Sequence, residues 1–261
     1  MVLLLTALVG VASAGGAPDE GRLALVLAAM LCSQLAIGWS NDYLDRNVDA
    51  VHQPSKPVPA RLVDAARMPW AIGLALLACA AMGAILGAVP LGLLVAGTCC
   101  GLAYNLGIKG TRYSALPFVL AFAVLPLFVW TALDVYRDEF LALYAIGLSL
   151  PVAVHVANVL PDLESDRAQG RRTVAVLLGR ERAILLTMAC QMAPLVMTVC
   201  SLAWISYDSA VLVPPLVVYG GLSLAALVQY RQPSGRKSDV RAFRLLAIAA
   251  IIFAAGWLAA V

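Results

Sequence analysis

Charge is scarce in this chain. Asp, Glu, Lys and Arg make up 13% of its 261 residues, against roughly 25% in an ordinary soluble domain. Together with 62% hydrophobic residues, that scarcity excludes a soluble globular enzyme, a disordered tail and a nucleic-acid binder. Cysteine chemistry is missing as well. Cys32, Cys79, Cys99, Cys100, Cys190 and Cys200 all fall inside apolar segments, none forms a C-x-x-C pair, and no Cys/His cluster has zinc spacing. They read as small packing residues.

What is present is apolar length. A membrane-spanning helix needs about 20 largely apolar residues, and such segments run over 1–15, 22–41, 68–88, 91–106, 115–133, 139–159, 183–203, 210–230 and 243–261. The sequence therefore predicts an all-α membrane protein, a nine-helix bundle forming one domain over 1–261. A turn of a few residues is expected between Gly87 and Pro90. Interior prolines at Pro117, Pro126, Pro151, Pro214 and Pro215 are tolerable where neighbouring helices satisfy the freed backbone groups. The first segment ends in Ala12-Ser13-Ala14, which resembles a signal-peptide cleavage site, but no basic residue precedes the apolar run. It reads instead as a shortened first helix, about 22 Å long against a hydrocarbon core of about 30 Å.

The charge that exists is sorted. With nine spans, the connections on one side hold 16 of the 18 Lys and Arg residues, leaving only Arg22 and Arg137 opposite. The net charge is +7 on the first side and −4 on the other. By the positive-inside rule the basic side is cytoplasmic, with the N-terminus inside and the C-terminus outside. A bacterial or archaeal cell membrane is the expected location.

Two segments end in the same acidic pattern. Asn41, Asp45 and Asp49 follow N-x-x-x-D-x-x-x-D, with Asp42 adjacent, and Asn158, Asp162 and Asp166 repeat it 117 residues later. Positions i, i+4 and i+8 drift by only 40° a step, so each set occupies one helix face over about 12 Å. Two such faces turned toward each other would repel strongly at two helix C-termini. Hard divalent cations with oxygen ligands relieve that repulsion, and Mg²⁺ typically takes one or two carboxylates plus substrate phosphate oxygens. The implied ligand is a phosphate or diphosphate. Any single acid could merely solvate a helix end, but repetition at matching depth favours function, because acids within membrane helices are costly. Pro161 should either kink the sixth helix near Asp162 and Asp166 or end it near Leu160.

Cations follow on the same side. Lys56 lies in the proline-rich stretch His52 to Arg61, expected to be extended, and the next even-to-odd connection supplies Tyr104, Lys109 and Arg112. Lys56, Lys109 and Arg112 are candidates for the outer phosphate oxygens. Gln34 sits seven residues before Asn41 and His155 seven before Asp162, each about 10 Å deeper, where they either contact an organic acceptor or bond to a neighbouring helix.

These residues resemble the UbiA superfamily of intramembrane prenyltransferases. The likeness rests on N-D-x-x-D-x-x-x-D at Asn41, Asp42, Asp45 and Asp49, then Lys56-Pro57, then Y-x-x-x-x-K at Tyr104 and Lys109. It is completed by D-x-x-x-D-x-x-x-G-x-x-T at Asp162, Asp166, Gly170 and Thr173. It covers essentially the whole chain. It implies a cytoplasm-facing, Mg²⁺-dependent site in which a polyprenyl diphosphate loses diphosphate and an acceptor captures the allylic cation. By motif position Asn41, Asp45, Asp49, Asp162 and Asp166 would hold two magnesium ions, while Lys56, Tyr104 and Lys109 would bind diphosphate. Val159 stands where many members have Asp, and Lys56 where many have Arg. Tyr43, Asp49 and Pro54-Ser55-Lys56-Pro57 look more like the chlorophyll-synthase and archaeal-lipid branches than the hydroxybenzoate branch.

The expected activity is prenyl transfer to an aromatic, quinone-precursor or lipid-like acceptor. A terpene cyclase of the same superfamily would use the same metal site but line its deeper cavity with aromatics alone. An ion-coupled transporter would want its acids near the midplane on broken helices. The D-G-x-x-A-R signature of CDP-alcohol phosphotransferases is absent.

Overall fold

The computed structural model describes residues 1–232 and 235–261. Among them there is no strand. The helices are α1 (Val2–Ser13), α2 (Glu20–His52), α3 (Met68–Leu86), α4 (Ala88–Asn105), α5 (Ala115–Leu133), α6 (Ala142–Gly147), α7 (Ser149–Val159), α8 (Leu163–Ala168), α9 (Val174–Leu178), α10 (Arg180–Ser201), α11 (Ser209–Arg231) and α12 (Arg236–Ala260). Seven of them, α2 to α5 and α10 to α12, are long and apolar enough to cross a membrane. An eighth candidate is broken: the stretch Asp138–Gly147 and the stretch Ser149–Ala168 meet at a bend of 41°. The first predicted segment forms α1, only 12 residues, or about 18 Å.

Proline chemistry explains the breaks. Pro151 has no N–H to donate to the carbonyl of Gly147, four residues back, and the helix interrupts at Leu148 between α6 and α7. Pro161 deprives Ala157 in the same way, and a 3₁₀ turn over Leu160–Asp162 joins α7 to α8. The sixth helix therefore ends at Val159 and resumes, combining the two behaviours open from sequence. The expected turn of several residues between α3 and α4 is a single residue, Gly87, at φ +124°. Pro90 fits inside the first turn of α4, where backbone N–H groups have no intrahelical partner.

The helices close into a ring. α2 packs on α3 and α4, α4 on α5, α5 on α7, α7 on α10, and α10 on α11. α11 packs on α12, and α1 completes the circuit by touching α12, α2 and α5. Two glycines permit the tightest approaches. A Cβ on Gly101 of α4 would fall 2.5 Å from Ile37 Cδ1 of α2, and one on Gly256 of α12 would fall 2.4 Å from Pro215 of α11. Buried polar groups pair across helices: Trp130 Nε1 donates to Ser13 Oγ at 2.8 Å, and Ser33 and Thr98 share a hydrogen bond of 2.7 Å.

Leu74, Leu77, Ile85, Leu185 and Val199 project outward, which suits hydrocarbon rather than water. Trp70, beside the start of α3, and Trp204, just past α10, are both highly exposed, at helix ends where an indole ring partitions to a membrane interface. This is an integral membrane protein.

Candidate functional site

Both acidic sets lie at one end of the bundle. α2 is unbroken over 33 residues, about 50 Å against a 30 Å hydrocarbon core, so its last turns carry Asp42, Asp45 and Asp49 beyond the apolar stretch. In the second set, Asp162 closes the 3₁₀ turn and Asp166 lies on α8. A 3₁₀ turn advances about 120° per residue instead of 100°. Asn158 and Asp162 are accordingly exposed while Asp166 is buried, so this set does not share the single helix face expected from its spacing.

Each principal carboxylate has one basic partner. Lys109 Nζ lies 2.6 Å and 2.5 Å from the two oxygens of Asp45 and 3.1 Å from Asn41 Oδ1. Lys56 Nζ is 2.8 Å from Asp49 and 3.6 Å from Asp42. Arg171 donates to Asp166 at 3.0 Å, and Arg236, the first residue of α12, reaches Asp162 at 3.1 Å. The repulsion anticipated from sequence is thus relieved pair by pair. Burial pulls the Lys56 ammonium toward a lower pKa, but its hydrogen bond to Asp49 and the charges of Asp49, Asp42 and Asp45 outweigh it and raise the value above 10.5.

The connections carrying these cations are tied together. Arg172 N–H donates to Gly110 O at 2.9 Å, joining the loop after the second acidic set to the α4–α5 connection. The proline-rich stretch is not extended: Lys56 N–H donates to Gln53 O, Ala60 N–H to Lys56 O, and Leu62 and Val63 N–H to Pro57 O. The proline φ near −65° suits the first corner of a turn as well as an extended chain, and these turns bring Lys56 back onto Asp49. Arg112 departs from expectation. Its guanidinium stacks 4.8 Å from the Tyr113 ring centroid and donates to the Tyr113 hydroxyl at 2.7 Å, on the exposed surface.

Below the acids a cavity of about 390 Å³ opens between α2, α4 and α5. Asn41 and Tyr104 line its acidic end, and Tyr104 is near enough to both Asp45 and Asp166 to feel each charge. Deeper, Gln34 joins a largely apolar wall that includes Phe118, Phe122 and Phe128. Among the described residues Gln34 has one weak side-chain contact, 3.8 Å to Met30 Sδ. His155 lies outside this lining. It is fully buried, with its ring against Phe118 (5.3 Å) and Tyr104 (6.0 Å) and its Nε2 hydrogen-bonded to Ser114 Oγ at 3.1 Å. Both of those rings also line the cavity, so His155 is packed behind them.

Two site cations are not among those chosen from sequence: Arg171, which belongs to the basic run Gly170-Arg171-Arg172-Thr173 after the second acidic set, and Arg236. The first carried a signal, standing five residues past Asp166. The second had none, because 74 positions separate it from Asp162.

Among the described residues no three His, Cys, Asp or Glu side chains converge to form an ion site by themselves. The donor set nonetheless suits a hard cation, being carboxylate and amide oxygens with no sulfur. Mg²⁺ commonly takes only one or two protein carboxylates and fills its shell with phosphate oxygens and water, so separated acids facing a phosphate fit it.

A model of the UbiA prenyltransferase family matches residues 3–260. The chain is 29% identical over 242 residues to the bacteriochlorophyll synthase 33 kDa chain of Cereibacter sphaeroides, covering 85% of this chain and 74% of that one. It is 26% identical over 265 residues to the digeranylgeranylglyceryl phosphate synthase of Natronomonas pharaonis, covering 97% and 91%. The structure of a UbiA homolog from Archaeoglobus fulgidus bound to GPP and Mg²⁺ superposes with a TM-score of 0.74 at 15% identity, over 99% of this chain and 95% of that one.

Proposed function

The chain belongs to the UbiA prenyltransferase family, and from that premise we propose that it transfers a prenyl group from a polyprenyl diphosphate to a lipid-like or pigment-precursor acceptor, releasing diphosphate. The observation that carries the reading is the set of four acid–cation pairs at the end of the bundle where Asn41 and Tyr104 line a largely apolar cavity. An amphiphile with a diphosphate head and an isoprenoid tail matches both halves. Relatives named for synthesis of bacteriochlorophyll and of digeranylgeranylglyceryl phosphate support the acceptor class.

In this reading Asn41, Asp42, Asp45 and Asp49 on one side, and Asn158, Asp162 and Asp166 on the other, would hold two Mg²⁺ ions. When bound, the ions neutralise charge that builds on the departing diphosphate. Lys56 and Lys109, tethered to Asp49 and Asp45, are positioned to pass to phosphate oxygens, with Arg171 and Arg236 as additional donors. Arg112, engaged by Tyr113, is left out. As the allylic carbon–oxygen bond breaks, its electron pair leaves on the diphosphate. The acceptor nucleophile then bonds to the allylic carbon and gives up a proton. Tyr104 lines the cavity at the acidic end, where an aromatic ring favours a neighbouring cation. The apolar wall excludes water, the competing nucleophile.

We further propose one domain over 1–261 with nine spans, counting α1 and the broken helix. The N-terminus and the site then face the cytoplasm and the C-terminus lies outside. Gln34 favours transfer over cyclisation, because an acceptor can use its amide whereas a cyclising hydrocarbon cannot. The test is product analysis in membranes given geranyl, farnesyl or geranylgeranyl diphosphate, with and without candidate acceptors. A prenylated acceptor supports the reading, and a cyclised hydrocarbon formed without acceptor overturns it.

A further inference from the structure

The start of α12 is held from two directions. Its first residue, Arg236, donates from Nε to Asp162 Oδ1 at 3.2 Å, with Nη2 3.1 Å from the same oxygen. Three residues on, Asp239 is nearly buried. Both of its oxygens accept from Arg180, the first residue of α10: Nη1 donates to Oδ2 and Nη2 to Oδ1, each at 2.7 Å. Three helical positions turn through about 300°, so the two side chains leave α12 in neighbouring directions. One reaches the second acidic set and the other reaches α10.

Local energetics do not favour that fork. Arg180 puts a positive charge at the first position of a helix, the end where the dipole opposes it, and a buried ion pair returns little net stability after desolvation. What two parallel bonds supply is direction, because they fix the planar guanidinium against the carboxylate. The surrounding contacts agree. Ser238 Oγ donates to Gln229 O of α11, and α12 packs on the 3₁₀ turn Leu160–Asp162. The first turn of α12 is thereby tied to α10, α11 and the turn that carries Asp162. The Arg236 side chain itself is 66% exposed, so its placement depends on the backbone that carries it.

We propose that the Arg180–Asp239 pair is a positioning device for Arg236. By fixing the first turn of α12 to α10, it holds a guanidinium beside Asp162, where that group serves as a donor to the substrate diphosphate. Arg180 and Asp239 act through Arg236 and do not themselves meet the substrate. The inference rests on the prenyl-diphosphate reading above.

The experiment uses full-length protein in lipid nanodiscs with Mg²⁺ and the unreactive thiolodiphosphate analogues of geranyl, farnesyl and geranylgeranyl diphosphate. Dissociation constants are measured by calorimetry beside thermal melts, and variants are compared on the analogue that wild type binds most tightly. Arg236→Gln should weaken binding about tenfold, the loss of one charge-assisted hydrogen bond. Asp239→Asn should reproduce much of that loss. Arg180→Lys, which keeps the charge but gives up the fork, should do the same and keeps the measurement possible if Asp239→Asn does not fold. The direction is diagnostic. Removing the negative charge of Asp239 would, through the field alone, favour an anionic ligand, so weaker binding has to arise from geometry. In an Arg236→Gln background neither change should weaken binding further, whereas a general structural role would cost as much there as in wild type. Undiminished losses in that background overturn the positioning role and leave the prenyl-diphosphate reading intact. So does affinity unmoved by Arg236→Gln, or unmoved by the Asp239 and Arg180 variants. Wild-type protein that binds none of the three analogues overturns both.

Discussion

Lys109 holds both carboxylate oxygens of Asp45, at 2.6 Å and 2.5 Å, across 64 positions of sequence. The contact joins the α4–α5 connection to the end of α2 and sets the cation proposed to bind diphosphate directly beside an acid proposed to hold metal. Lys109→Met should therefore weaken substrate binding more than folding. Loss of a charge-assisted hydrogen bond, about 1.5–3 kcal/mol, corresponds to a rise in KM of roughly 10- to 100-fold, with partial recovery in Lys109→Arg. Initial-rate kinetics beside a thermal melt would check this, and an unchanged KM would remove Lys109 from the site.

Asp45→Asn and Asp162→Asn keep the shape of the side chain and remove its charge. Each should abolish diphosphate release while the protein still purifies as a folded species. Turnover retained in either variant, followed by a phosphate-coupled assay, would sink the assignment of that acid to the metal site.

EDTA should stop turnover and Mg²⁺ should restore it. Mg²⁺ with inorganic diphosphate should also raise the melting temperature, because a ligand that binds only the folded state stabilises it by mass action. No rise at saturating concentrations of both would contradict the acid–cation pairs as their site.

The pH dependence of the Lys56–Asp49 pair has a definite sign. The pKa of Lys56 is raised above 10.5 by its acids, so its stabilisation is fully present below pH 10.5 and is lost as pH climbs through the raised folded value. Lys56→Met should destabilise the protein at neutral pH by about 1–3 kcal/mol, since it leaves the nearly buried Asp49 unpaired. The gap between wild type and variant should close only in strongly alkaline buffer, which melts at a series of pH values would read.

Topology can be read by labelling. In a background without the six native cysteines, Lys109→Cys should react with a membrane-impermeant maleimide only from the cytoplasmic side. Labelling in intact cells would reverse the orientation derived from the 16 basic residues on one side.

Much of this protein is determined by its sequence alone. Apolar length places it in a membrane, the sorting of Lys and Arg supplies its proposed orientation, and the repeated Asn-Asp-Asp spacing supplies its proposed site, because these are local or additive properties of the chain. Pro151 and Pro161 likewise announce where backbone donors are missing. Only the tertiary structure decides which cation meets which acid. Arg236 reaches Asp162 and Arg112 turns away to Tyr113, although from sequence both are basic residues in connections on the same side. The packing of His155 against Phe118 and Tyr104 and the bond from Arg172 N–H to Gly110 O share that origin. Each depends on how helices distant in sequence lie against one another, and no local pattern of residues encodes that distance.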